Sequence, residues 1–152
     1  MTEVIFANRG VKETSYTPTT MVFLSDNLED CLRIFPWKKN VYWNKSDTGD
    51  VTVYAVSKEP VGVDIEYKKE RPFEKISRRY FHTDEVTDNK EVFYDLWCKK
   101  EAYTKWKRGK IAENMKATID RPLTRLNFRH HLDHDNVVGY LCTWQCVETL
   151  IQ

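Results

Sequence analysis

Three carboxylates in this sequence fall where two regular elements could bring them together. Val61-Gly62-Val63-Asp64-Ile65-Glu66 alternates as a β-strand does. Val61, Val63 and Ile65 then share one face, and Gly62, Asp64 and Glu66 share the other. Asp64 and Glu66 would stand ~6.6 Å apart along the strand, close enough to repel unless a cation or water screens them. Taken alone, the pattern also fits the solvent face of an edge strand. The second half of the pattern is helical: Phe93, Trp97, Glu101 and Lys105 follow one another at steps of four. Glu101 thus continues a row opened by two large aromatics, with Lys105 one turn on. An ordinary surface pair would read the same way, but the aromatics predict a partly buried face, where a carboxylate needs a cation. Asp64, Glu66 and Glu101 together form an all-oxygen set suited to a hard ion such as Mg²⁺, which completes its shell with water and substrate phosphate. The set does not suit structural Zn²⁺. From Lys99 to Lys110 six basic residues face one acid, a local charge of +5. Acidic ligands beside a basic helix point to phosphate-transfer chemistry.

The elements that must position these groups are legible around them. Val4 to Ala7 reads as a short strand, Ser15 to Thr20 as loop, and the first 24 residues are otherwise weakly patterned. Asp26-Asn27-Leu28-Glu29 reads as a capping box opening a helix that Pro36 stops. Residues 40–43 and 51–56 read as a hairpin turning through Ser46 to Asp50. Pro72 suits the start of a helix through Phe73, Ile76 and Tyr80. Thr83 to Lys90 reads as a loop or single turn. Glu91 to Arg108 is the strongest helix, with Gly109 expected just past its end. Lys116 to Gln152 reads as strands, clearest at Val137 to Trp144. The order is α+β: a small antiparallel sheet packed against helices.

With 152 residues, the chain is expected to form a single domain. Twenty aromatics supply a core without metal or disulfide staples. A net charge of +1 argues against a globally basic nucleic-acid binder, so a nucleic-acid role for Lys99 to Lys110 ranks last. No apolar run spans a bilayer and no signal peptide is visible, so a cytoplasmic protein is expected. Cys31, Cys98, Cys142 and Cys146 form no C-x-x-C pair and read as reduced packing residues. His130, His131 and His134 lie in turn sequence with no ligand partner at zinc spacing.

The segments Val61 to Glu66 and Trp97-Cys98-Lys99-Lys100-Glu101-Ala102-Tyr103-Thr104-Lys105 resemble the paired signature of the 4′-phosphopantetheinyl transferases. The second glutamate follows the aspartate by 37 residues, about the spacing of that family. Ile76 to Glu85 and Gly109-Lys110 resemble further family segments, although Ile111 replaces a second glycine. Asn40 to Ser46 aligns with a stretch carrying a Ser-His pair in longer members, read here as Asn44-Lys45. The resemblance is good over 40–110 and poor over 1–39.

The resemblance implies the family's fold, and transfer of the 4′-phosphopantetheine arm of coenzyme A to a serine of an apo acyl or peptidyl carrier protein, releasing adenosine 3′,5′-bisphosphate. It implies a Mg²⁺-dependent enzyme of the holo-acyl-carrier-protein synthase type. Asp64, Glu66 and Glu101 become the metal ligands. Glu101, Glu66 and Lys105 become the catalytic set, with Glu101, Glu66 or a metal-bound water as base. Lys45, Lys100 and Lys105 become contacts to coenzyme A, and Trp97 packs under the site. The partners are coenzyme A and an acidic carrier, with no nucleic acid and no membrane, and the resemblance allows a homo-oligomer. The alternative is a degenerate member that keeps the ligands but serves as a carrier-binding scaffold.

Overall fold

The computed structural model describes residues 2–8, 17–119, 121–131, 133–144 and 150–151. Its architecture is α+β, with two antiparallel sheets rather than one. The first sheet holds β1 (Glu3–Asn8), β2 (Thr20–Leu24), β3 (Tyr42–Thr48), β4 (Val51–Ser57) and β8 (Leu150–Ile151), in the order β3-β4-β2-β1-β8. The second holds β5 (Val61–Tyr67), β6 (Thr124–Arg125) and β7 (Val137–Thr143), in the order β5-β7-β6. The helices are α1 (Leu28–Ile34), α2 (Phe73–Tyr80), α3 (Lys90–Lys107) and α4 (Ile111–Lys116).

Alternation along the strands divides the core into three. Val51, Val53 and Ala55 of β4 and Val61, Val63 and Ile65 of β5 point into a shared core with Phe6, Val22 and Leu141. The opposite face of the first sheet, with Phe23, Tyr54 and Val56, packs on Cys31 and Phe35 at α1. The opposite face of the second sheet, with Val138, Tyr140 and Cys142, packs on Phe93, Cys98 and Ala102 of α3. β2 and β4 therefore bury both faces, which explains the continuous apolar run Met21-Val22-Phe23-Leu24.

Several boundaries differ from the sequence expectations, each for a local reason. The hairpin turn is only Gly49-Asp50, and Ser46, Asp47 and Thr48 extend β3. Asn27, not Asp26, caps α1: its side chain accepts the Asp30 N–H at 3.1 Å, while Ser25 Oγ accepts the Asn27 N–H at 3.0 Å. α3 ends on Arg108, which takes the left-handed conformation expected of Gly109 (φ 55°). A Cβ on Gly109 would lie 2.7 Å from Asn114 Nδ2, the end of a side chain that can move aside. A short helix, α4, precedes the tail, whose strands are β6, β7 and β8. Cys31, Cys98 and Cys142 are buried free thiols, and Cys146 lies outside the described residues.

Two features bring the carboxylates together. Gly62 lets α3 lie directly on β5: a Cβ there would meet Ala102 O at 2.2 Å and Trp106 N at 2.4 Å. The second is a polar seam between the sheets. Asn44, Ser46 and Thr48 project from β3 and accept the N–H groups of Val63 (2.9 Å), Ile65 (3.0 Å) and Tyr67 (3.2 Å) of β5. A comb of side chains thus replaces a backbone ladder and satisfies the edge of β5.

Candidate active site

Asp64 stands at the centre of this seam. It is 5% exposed, on the β5 face turned toward α3. Its backbone carbonyl accepts the Cys98 thiol at 3.1 Å. Asp64 Oδ1 accepts from Ser46 Oγ and from Lys105 Nζ, both at 3.4 Å. Asp64 Oδ2 is buried with no hydrogen-bond partner. A desolvated carboxylate oxygen left unpaired is costly, and a cation is the partner that best offsets it.

Glu66 and Glu101 share this environment. Burial raises Asp64 to about 8, reinforced by the charge of Glu66 and opposed by Lys105. Burial also raises Glu66, with the Glu101 charge adding to it and side-chain hydrogen bonds with Asp64 and Trp97 acting against it. Glu101 is raised by burial and partly relieved by Lys105. Fully ionised, three carboxylates face one ammonium, an excess of two negative charges. The all-oxygen chemistry and the orphaned Asp64 oxygen fit a hard divalent ion. Among the described residues, no three His, Cys, Asp or Glu side chains form a preassembled metal-holding cluster. His130, His131 and His134 belong to none either.

The pKa direction sets a pH dependence. A carboxyl raised on folding favours the folded state while it is protonated. Its stabilisation is complete below about pH 4 and is lost as pH rises through about 8. Between pH 6 and 8 in EDTA, Asp64 should contribute a fall in unfolding free energy approaching 1.4 kcal/mol per pH unit. Urea titrations should show this slope reduced in Asp64→Asn. Equal slopes in the two proteins would remove Asp64 as its source.

The lysines sit differently from the sequence expectations. Lys105 bonds the carbonyls of Val63 (2.9 Å) and Lys45 (3.3 Å) as well as Asp64. Its three donors are thus engaged across the seam, where it holds Asp64 in place. Lys45 alternates with the comb residues, so its side chain lies on the other face of β3, near Asp47 (3.6 Å) and over Tyr54. Lys100 is fully buried: its ammonium meets Glu85 at 2.8 Å and the Ala117 carbonyl at 2.6 Å. Neither Lys45 nor Lys100 is brought to the carboxylates. Lys100 directly precedes Glu101, and on a helix one step turns the side chain about 100° away. Sequence reasoning missed Ser46, which holds both Asp64 and the Ile65 N–H. Its signal was the polar spacing Asn44, Ser46, Thr48 within a strand.

Residues 60–146, more than half of the chain, match the profile of the 4′-phosphopantetheinyl transferase superfamily. The chain belongs to this superfamily. The match spans β5 and α3, the elements that carry Asp64, Glu66, Glu101 and Lys105, and extends through β7. Among curated proteins, the chain is similar to the 4′-phosphopantetheinyl transferase gsp of Aneurinibacillus migulanus, at 35% identity over 74 residues. That alignment covers 43% of this chain and 31% of the relative, so the likeness to that transferase spans about a third of its length. No helix among the described residues is long and apolar enough to cross a membrane.

Proposed function

We propose that this protein, acting as one unit over residues 1–152, transfers the 4′-phosphopantetheine arm of coenzyme A to a serine hydroxyl of an apo carrier protein. The observation that carries this reading is the buried, unpartnered Asp64 Oδ2 beside Glu66 and Glu101, within the part of the chain that matches the superfamily. Asp64, Glu66 and Glu101 would hold Mg²⁺. The ion would supply charge neutralisation at the pyrophosphate of coenzyme A. Lys105 fixes the Asp64 carboxylate and adds positive charge beside the leaving group. The serine oxygen attacks the phosphorus that bears the pantetheine arm. The P–O bond to adenosine 3′,5′-bisphosphate breaks, and the serine proton passes to a base. Glu101 and Glu66 are the protein's candidates for that base. Lys107, Arg108 and Lys110 are exposed at the end of α3 and would steer an acidic carrier. Three buried free thiols accord with a reducing, cytoplasmic setting.

The test is intact-mass spectrometry of a panel of apo carriers incubated with the protein, coenzyme A and Mg²⁺. The expected result is a gain of one phosphopantetheine arm on at least one carrier, abolished by EDTA. If coenzyme A does not bind and no carrier gains mass, the scaffold reading replaces this one.

A further inference from the structure

The seam treats the two oxygens of the Asp64 carboxylate differently. Oδ2 is buried with no hydrogen-bond partner. Oδ1 is taken twice, by Ser46 Oγ and by Lys105 Nζ, both at 3.4 Å. Lys105 reaches it from α3 and also bonds the carbonyls of Val63 and Lys45. Ser46 reaches it from β3.

The Ser46 hydroxyl is fixed on both sides. Its backbone is locked into the β3–β4 ladder opposite Val53, and the residue is buried. Its oxygen accepts the Ile65 N–H at 3.0 Å. A serine hydroxyl has a single proton to donate. With the oxygen turned to the Ile65 N–H, that proton goes to Asp64 Oδ1. One hydroxyl thus holds two successive groups of β5, the Asp64 carboxylate and the Ile65 amide. The carboxylate is thereby kept from turning to present both oxygens to the same point.

That asymmetry bears on the choice of cation. Mg²⁺ demands near-octahedral geometry, keeps several of its waters and is satisfied by one or two carboxylates. Ca²⁺ is larger, gathers more oxygens and accepts both oxygens of one carboxylate. We propose that Ser46 is a positioning residue that sets cation specificity: by holding Oδ1 it restricts Asp64 to Oδ2, and so favours Mg²⁺ over Ca²⁺. This rests on the metal-holding role proposed above for Asp64. Lys105 guards the same oxygen, but removing it would change the charge of the site. Removing the Ser46 hydroxyl leaves that charge unaltered, so Ser46 is the informative position.

Competition against bound Mn²⁺, counted by electron paramagnetic resonance without coenzyme A or a carrier, reads the selectivity. In the parent protein Mg²⁺ is expected to displace Mn²⁺ at lower concentration than Ca²⁺ does. In Ser46→Ala the ratio of the two displacing concentrations should move toward Ca²⁺ by at least about fivefold, the worth of one hydrogen bond. Asn44→Ala is the structural control. Asn44 makes the neighbouring bond of the comb, accepting the Val63 N–H at 2.9 Å, and the residue before Val63 is Gly62, with no side chain to hold. This variant should lose stability as Ser46→Ala does, yet keep the parent's ratio. The proposal is overturned if Ca²⁺ displaces Mn²⁺ from the parent as readily as Mg²⁺, if Ser46→Ala keeps the parent's ratio, or if Asn44→Ala shifts it equally. Each of those results leaves Mn²⁺ bound and the transferase reading intact. A parent protein that binds no Mn²⁺ removes the metal site itself, and this proposal with it.

Discussion

Asp64→Asn is expected to lower carrier modification by at least about a thousandfold while leaving the protein folded. The substitution keeps the shape of the side chain and removes its charge. Oδ2, the buried oxygen without a partner, then becomes a neutral carbonyl or an amide nitrogen, and neither replaces a carboxylate at a divalent cation. Losing one preorganised electrostatic contact costs about 10²–10³ in rate, and losing the ion itself adds to this. Stability at pH 8 should rise, because the carboxylate that burial disfavours is gone. Lower activity with higher stability separates this outcome from simple unfolding. An active Asp64→Asn protein would show that Glu66 and Glu101 suffice.

Lys100→Met is expected to act on stability rather than on coenzyme A. The ammonium is fully buried and ties α3 to Glu85, in the 3₁₀ turn at Thr83–Glu85, and to Ala117, just after α4. Methionine fills similar volume but strands the largely buried Glu85 carboxylate, which is 15% exposed. Breaking such a pair costs about 3 kcal/mol or more. For a chain of this size that lowers Tm by about 6–12 °C. Glu85→Gln in the same protein should recover part of the loss, because it removes the stranded charge. The KM for coenzyme A should change little. An unchanged Tm with a raised KM would instead mean that Lys100 leaves Glu85 to meet a phosphate.

The site was legible where its logic is local. Alternation placed Asp64 and Glu66 on one face of β5, and the four-residue step placed Trp97, Glu101 and Lys105 on one side of α3. Those signals lie within single elements. Lys105 could be placed on the correct face, but its bonds to Val63 and Lys45 depend on the neighbouring strand. Ser46 acts through β5, eighteen residues on from it at Asp64, and no periodicity within β3 names that neighbour. Lys100 is adjacent to Glu101 in sequence but faces another partner, Glu85, brought there by the turn after α2. β2 was missed because four of its five residues are buried, on both faces, and show no alternation. Arg108, not Gly109, takes the left-handed position at the end of α3.

In the proposed reaction, Asp64, with Glu66 and Glu101, would hold the divalent ion that serves the pyrophosphate. Mn²⁺ offers a direct probe, since it replaces Mg²⁺ at oxygen sites and is paramagnetic. Free and bound Mn²⁺ can be counted by electron paramagnetic resonance while coenzyme A is followed by ³¹P nuclear magnetic resonance. One bound Mn²⁺ per chain is expected to broaden the pyrophosphate resonances of bound coenzyme A, with both effects lost in Asp64→Asn. Mn²⁺ binding that survives Asp64→Asn, or bound Mn²⁺ that leaves the pyrophosphate resonances sharp, would contradict it.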